Sequence, residues 1–222
     1  MEQYREIEVP KDTASYVAIS HGSLVDAVYE HLDKAGFVVK DEKIQLAKFG
    51  NQMFGTVTCT TGDTEQDMTI GFRNSYDKSI PVGIVAGNRV IVCSNLMFKG
   101  DVKQMRKHTG SVRKELDFLV SQGVDYMTDQ FEKIRLDTIR MKDVELTKRT
   151  TAELIGRMYI EENLITSTQV NIIKDQLTNS KLFTGESVWD LYNHTTEALK
   201  TSHPSTIMKD HIKVHNFMLE LV

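Results

Sequence analysis

A long proline-free stretch, from about residue 111 to about residue 147, limits the possible folds more than any other feature of the sequence. Apolar residues recur in it every three or four positions, at Leu116, Val120, Val124, Met127, Phe131, Ile134 and Met141. This spacing aligns them on one face, so the stretch predicts one long amphipathic helix or two helices broken near Gly123. The apolar face must be covered, either by a sheet of the same chain or by a partner helix in a homo-oligomer.

The residues before this stretch predict one helix and then strands. The helix is indicated by apolar residues at three-to-four spacing, namely Leu24, Val25, Val28, Tyr29 and Leu32. Gly36 is expected to end it. Runs rich in β-branched and aromatic residues then predict strands at 37–39, 44–47, 53–60, 68–72, 82–86 and 89–93. Gly87 and Asn88, between the last two runs, are typical of a two-residue hairpin turn, and the whole series predicts an antiparallel β-meander.

The C-terminal part predicts further helices, at 150–162, 166–178, 187–200 and 205–220. The expected fold is therefore α+β, with an N-terminal helix and an antiparallel β-meander followed by a long amphipathic helix and a C-terminal helical region. We expect residues 1–110 to form a mostly β half with one helix, and residues 111–222 to form a helical half packed on it. Because no Pro/Gly-rich linker divides the 222 residues, the two halves are expected to form a single domain.

Charge and hydropathy narrow the class of protein. The net charge of −4 excludes a uniformly basic nucleic-acid binder, although it leaves room for a local basic face. The N-terminus does not resemble a signal peptide, and no apolar run is long enough to span a membrane, so we expect a protein of the host-cell cytoplasm. Cys59 and Cys93 have no metal-type spacing and are expected to be buried, reduced thiols.

Several motifs, in the same order, carry a resemblance to a known family. They are Arg73-Asn74-Ser75-Tyr76-Asp77-Lys78-Ser79, the segments 87–98 and 107–110, and a closing helix at 189–200. Together they resemble the phage/plasmid-like protein family, a domain of unknown function. The resemblance spans roughly residues 14 to 200 and implies an accessory protein of phages, plasmids or other mobile elements, with no established activity. His194 departs from the pattern, in which a small or apolar residue is more frequent.

The Arg73–Ser79 motif includes the most distinctive polar residues. Asn74, Ser75 and Asp77, together with Asn95, are candidates for a compact pocket that binds a phosphate or a small ligand. The alternative is a hydrogen-bonded turn that fixes the register of two strands, since Asn and Asp side chains readily bond nearby backbone amides. The pocket would suit a phage counter-defence protein that binds a host defence protein or a nucleotide signal.

A cluster of basic residues just before the long helix is the strongest indication of function. Its cations are Lys99, Lys103, Arg106, Lys107, Arg113 and Lys114, and His108 adds an optional charge. Such a cluster can bind several backbone phosphates, and Arg73, Lys78 and Arg89 would extend the groove. Tyr76 and Phe98 are candidates for stacking on bases. The leading hypothesis is single-stranded DNA binding in annealing or recombination, an analogy with phage annealing proteins; a solvated basic loop is the alternative.

Catalytic and metal-binding patterns are weak. Cys93 and His108 lack the third group of a nucleophilic site, and no phosphate-binding glycine motif occurs. His211 and His215 have the i, i+4 spacing that can share a metal, but two solvated histidines are the more ordinary interpretation. We therefore expect no catalytic residues, no metal and no cofactor. An enzyme that acts on nucleic acid is the third hypothesis, and the absence of an acidic cluster counts against it.

Overall fold

An antiparallel sheet with helices against both of its faces forms the centre of the fold. The computed structural model describes residues 3–62, 65–90, 96–98, 105–203 and 205–222. The fold belongs to the α+β class, with a helix, then strands, then helices, as the sequence predicted.

The strands form a meander in chain order. Within the described residues they are β1 (Val39–Ala47), β2 (Gln52–Cys59), β3 (Gln66–Ser75), β4 (Val82–Val90), β5 (Leu96–Phe98) and β6 (Met105–Arg106). Each of β1 to β4 pairs antiparallel with the next strand, and β6 pairs with the first two residues of β4. β1 is consequently an edge strand.

Helices precede and follow the sheet. They are α1 (Gln3–Glu6), α2 (His21–Lys34), α3 (Val112–Asp125), α4 (Met127–Asp143), α5 (Lys148–Gly156), α6 (Ser167–Asn179), α7 (Val188–Leu199) and α8 (Ile207–Leu219). A single π-helical turn at Arg157–Glu161 follows α5. No helix in the described part of the chain is long and apolar enough to cross a bilayer.

The first face of the sheet packs on α2, α3 and α4. Alternate residues such as Met53, Val57, Ile70 and Phe72 point to this face and contact Leu24 and its neighbours on α2 in one apolar cluster. The predicted stripe of the long helical stretch is buried here and further along α4, and only Leu116 is partly exposed. The apolar spacing therefore identified the buried side of these helices correctly.

A second apolar cluster holds the C-terminal helices together. It starts at Ile134 on α4 and includes residues of α5 to α8, whereas Phe131, one turn earlier on α4, belongs to the first cluster. The second face of the sheet is covered in part by α8, through contacts of Ile207, Met208 and Ile212 with strand residues such as Phe54. Helix α4 and helix α8 thus connect the sheet to the helical region.

The predicted hairpin at Gly87 and Asn88 is wrong. β4 continues through both residues, and Asn88 is fully buried. Its side-chain amide donates hydrogen bonds to Gln66 Oε1 (2.6 Å) and to the Phe131 carbonyl (3.3 Å). Because these partners come from β3 and α4, they favour an extended backbone that the local sequence does not indicate. Of the strand predicted at 89–93, residues 89 and 90 belong to β4. Residues 91–93, including Cys93, lie outside the described residues.

One further boundary differs from expectation, and one open alternative is decided. The strands predicted at 37–39 and 44–47 are one strand, β1, with an irregularity between Val39 and Asp41. The long helical stretch is interrupted at Tyr126, three residues after Gly123, so the second of the two alternatives, two helices, is the observed one.

Candidate nucleic-acid interface

The polar residues expected to form a pocket are hydrogen-bonded inside the protein. Asn74 and Ser75 are fully buried. The Asn74 amide donates to the Ile19 carbonyl (2.8 Å) and to His21 Nδ1 (3.0 Å), and the Ser75 hydroxyl donates to the Ile80 carbonyl (2.7 Å). Asn95, the other expected member, lies outside the described residues. The geometry of the described members is that of a turn whose side chains join neighbouring segments.

His21 is the centre of this buried network. Its Nε2 donates to the Gly50 carbonyl (2.9 Å), which only accepts, so Nδ1 is the acceptor of the Asn74 hydrogen bond. The ring stacks on Tyr76 with centroids 4.0 Å apart, and the Tyr76 hydroxyl accepts a hydrogen bond from the His21 backbone N–H. Tyr76 is therefore an internal packing residue and not an exposed platform for bases. Burial lowers the pKa of His21, which keeps the ring neutral.

Buried histidines make stability depend on pH. Burial lowers the pKa of His21, His108 and His194 below the value of about 6.5 in unfolded chains. The unfolded chain therefore binds more protons as the pH falls below about 6.5, and the native state loses stability there, by up to about 1.4 kcal/mol per pH unit for each histidine. We expect urea denaturation to show a fall in the free energy of unfolding between pH 7 and pH 5. Equal values at the two pH values would contradict this.

Asp77 and Lys78 complete the turn. Asp77 accepts hydrogen bonds from the Ser79 backbone N–H (3.0 Å), the Gln52 amide (3.1 Å) and the Lys48 ammonium group (3.2 Å). Lys78 has a left-handed backbone (φ 62°), and its ammonium group lies 5.0 Å from the centroid of the Tyr16 ring. Lys78 remains exposed at this end of the sheet.

Two of the clustered cations are engaged by carboxylates. Arg106 Nε pairs with Glu115 (2.8 Å). Arg113 forms a bidentate ion pair with Asp12 (2.8 and 2.9 Å) and also donates a hydrogen bond to the Ala18 carbonyl (3.0 Å). Asp12 is remote in sequence, so counting charges along the chain did not reveal this neutralisation. Arg106 and Arg113 mainly join segments of the fold.

The remaining members of the basic cluster differ in exposure. Lys107 is exposed, whereas His108 is buried and packs on the Tyr16 ring with centroids 5.3 Å apart. Burial lowers the pKa of His108, which disfavours the optional positive charge that the sequence suggested for it. Lys99 and Lys103 lie outside the described residues, and so does the side chain of Phe98.

Arg73 is buried beneath the segment that precedes α8. Its guanidinium donates to the Ser205 carbonyl (2.8 Å) and contacts Met105 Sδ (3.0 Å), and burial lowers its pKa. Within the described part of the chain, its Nε has no acceptor. Arg73 therefore connects β3, β6 and the start of α8, and it does not reach an open groove.

A cationic cleft lies on the second face of the sheet, between the β1 side and the residues at and after the end of α7. We call it the second-face cleft. Its volume is about 140 Å³, and its lining consists of Lys43, Gln45, Phe54, Thr56, Arg89, Lys200, Ile207 and His211. Of the described residues that line it, three are cations. Two of them pair with carboxylates that are not among the lining residues, Arg89 with Asp41 and Lys200 with Glu197. Arg89, which sequence reasoning selected, is the one member of the expected groove found here, and an ion pair with Asp41 orients it.

Lys43 and Lys200 were missed by sequence reasoning. On β1 the residues Asp41, Lys43 and Gln45 alternate onto the second face, because Lys43 is opposite Thr56 and Gln45 is opposite Phe54. Lys43 and Gln45 are exposed, since α8 does not cover the edge strand. The alternation in β1 was a usable indication for Lys43, but nothing local places Lys200 beside it.

His211 and His215 are not the solvated pair that the sequence suggested. Both are buried: His211 lines the second-face cleft, and His215 contacts Asp137 and Tyr192 in the second apolar cluster. Within the described residues, no three His, Cys, Asp or Glu side chains gather in a metal-binding group.

Comparison with protein-family models, with curated proteins and with solved structures found no match. The resemblance to the phage/plasmid-like family therefore stays a prediction.

Proposed function

We propose that this protein binds single-stranded DNA through backbone phosphates in the second-face cleft, as a non-enzymatic accessory protein of a phage or other mobile element. The observation that carries the proposal is the lining of the cleft. Lys43, Arg89 and Lys200 contribute three cations to about 140 Å³, and the described lining residues include no carboxylate. Phosphate oxygens are the natural partners of such a group of donors.

The surroundings of each cation are compatible with a phosphate ligand. Arg89 is mostly buried and is held by Asp41, so its guanidinium is fixed before any ligand arrives. Lys43 is exposed on the edge strand and makes no ion pair within the described residues. Lys200 pairs with the partly exposed Glu197, an interaction that contributes little in water and that a phosphate can replace. A cleft of about 140 Å³ has room for one phosphodiester group of a flexible single strand.

Charge reversal at Lys43 tests the proposal. We expect Lys43→Glu to weaken binding of a fluorescently labelled oligothymidine about tenfold, because an attraction to phosphate becomes a repulsion. The slope of log K against log salt should become shallower by about 0.7 for each phosphate that the variant no longer neutralises. Fluorescence anisotropy across a salt series measures both quantities.

The matched control is Lys133→Glu. Lys133 is an exposed lysine on α4, which packs on the opposite face of the sheet. The control should bind as the unchanged protein does. Equal weakening by the two substitutions would mean that only net charge matters and would contradict a site in the second-face cleft. Absence of binding by the unchanged protein at low salt would reject the proposed function itself.

A further inference from the structure

Phe49 projects into solvent from the turn between β1 and β2. Its side chain is fully exposed. The backbone is left-handed at three consecutive residues, with φ 49° at Lys48, 57° at Phe49 and 86° at Gly50. This conformation is costly for an aromatic residue, and the gain that usually offsets such a cost, burial of the ring, is missing.

The turn that presents Phe49 is firmly held. The Gly50 N–H donates to the Ala47 carbonyl (3.1 Å), and the Asn51 N–H donates to the Lys48 carbonyl (3.1 Å). Gly50 also packs against Ile7, because a Cβ atom at this position would lie 2.5 Å from Ile7 Cδ1. The exposed ring therefore extends from a rigid base.

The Arg73–Ser79 motif supports the same turn. Asn74 positions His21, whose Nε2 donates to the Gly50 carbonyl (2.9 Å). The Tyr76 N–H donates to the Asn51 carbonyl (2.7 Å), and Asp77 pairs with Lys48 (3.2 Å). The most distinctive polar motif of the sequence thus fixes the backbone on both sides of Phe49.

We propose that Phe49 is a stacking platform for a nucleobase of the same strand whose phosphates lie in the second-face cleft. This inference rests on the proposed function. Lys43, in the cleft, and Phe49 are connected by one strand, β1, and lie about 15 to 20 Å apart at about 3.4 Å per residue. Surfaces that bind single strands combine such a cationic track with exposed aromatic rings, and a site of about four nucleotides or more is usual.

The exposed ring and the lysine beside it indicate which kind of ligand binds at Phe49. An exposed ring offers its faces to another planar ring, whereas an apolar partner would need further apolar residues around it. Lys48, next to Phe49 in sequence, carries an exposed ammonium group that pairs with Asp77 (3.2 Å), a contact that a phosphate can replace. A base with its phosphate matches an aromatic ring beside a lysine. Stacking is available only to unpaired bases, so this contact would also favour single strands over duplexes.

The test compares Phe49→Ala with Val38→Ala, a control that removes another exposed apolar side chain just before β1. Each is titrated with oligothymidine and with an abasic strand of equal length, which keeps the phosphates and lacks the bases. We expect Phe49→Ala to weaken binding of oligothymidine about tenfold and to leave abasic binding unchanged, with Val38→Ala changing neither.

A variant with a tryptophan at position 49 detects stacking of a base directly, by its fluorescence. Trp189 is the only tryptophan and is buried, so Phe49→Trp adds an exposed reporter. Stacking should quench the added emission with oligothymidine and not with the abasic strand. If the unchanged protein binds oligothymidine but Phe49→Ala binds equally well and Phe49→Trp is not quenched, the stacking role is overturned and the proposed function survives. If no strand is bound by the unchanged protein, both are rejected.

Discussion

Replacing Asp137 with alanine is expected to lower the free energy of unfolding by about 1 to 3 kcal/mol, the usual loss when a buried hydrogen-bonding group is left without its partner. Asp137, His215 and Tyr192 are all buried. His215 Nε2 lies 3.1 Å from Asp137 Oδ2, and its Nδ1 lies 3.3 Å from the Tyr192 hydroxyl. These contacts join α4, α7 and α8, so the substitution leaves a buried imidazole without its carboxylate.

Urea denaturation followed by circular dichroism measures this loss. The matched control is Asp143→Ala, which removes an exposed carboxylate from the same helix and should change the free energy of unfolding by less than about 0.5 kcal/mol. Replacing Asp137 and His215 together by leucine should recover much of the loss, because an apolar pair needs no partner charge. A loss below about 1 kcal/mol in Asp137→Ala would contradict the importance of this network.

Replacing Gly55 with alanine should also destabilise the protein, by about 3 kcal/mol, at the upper end of what overpacking usually costs. A Cβ atom on Gly55 would lie 2.2 Å from Cε2 and 2.3 Å from Cζ of the Phe72 ring. Phe72 is fully buried in the first apolar cluster, so the ring has no room to move away. Thermal or urea denaturation of the variant measures the effect.

A second substitution identifies the cause. Phe72→Leu removes the clashing atoms, so the Gly55→Ala and Phe72→Leu changes together should cost clearly less than the sum of the two. Gly110→Ala is the control, since a Cβ atom there has no neighbour within 4 Å among the described residues, and little change is expected. Additive losses in the double variant would show that the cost of Gly55→Ala does not come from contact with Phe72.

Most of the fold follows from the period of the apolar residues. The helix predicted from Leu24 to Leu32 and the helices after residue 150 occur within a few residues of their predicted positions, because each buries a continuous face. The prediction of a hairpin at Gly87 and Asn88 was wrong because the backbone there is determined by contacts distant in sequence and not by a local pattern. Its conformation depends on Gln66 and Phe131, which are close only in the folded chain.

Less of the candidate site was predictable. Charge density along the chain selected residues 99–114, yet Asp12 engages Arg113 and the fold buries His108. Lys43 and Lys200 come together only because the chain after α7 returns to the edge of the sheet. Phe49 could have been found from the sequence, since an aromatic residue between two predicted strands has no face on which to be buried. The role of the Arg73–Ser79 motif in fixing the turn between β1 and β2 could not have been found from the sequence.

Hydrogen–deuterium exchange with and without a saturating oligothymidine tests most directly where the strand binds. We expect slower exchange in peptides that cover β1, the turn after it, and residues 200–203 and 205–212, with no change in the outer helices α5 and α6. Protection confined to peptides around residues 105–115, or no protection although the oligonucleotide is bound, would contradict binding in the second-face cleft.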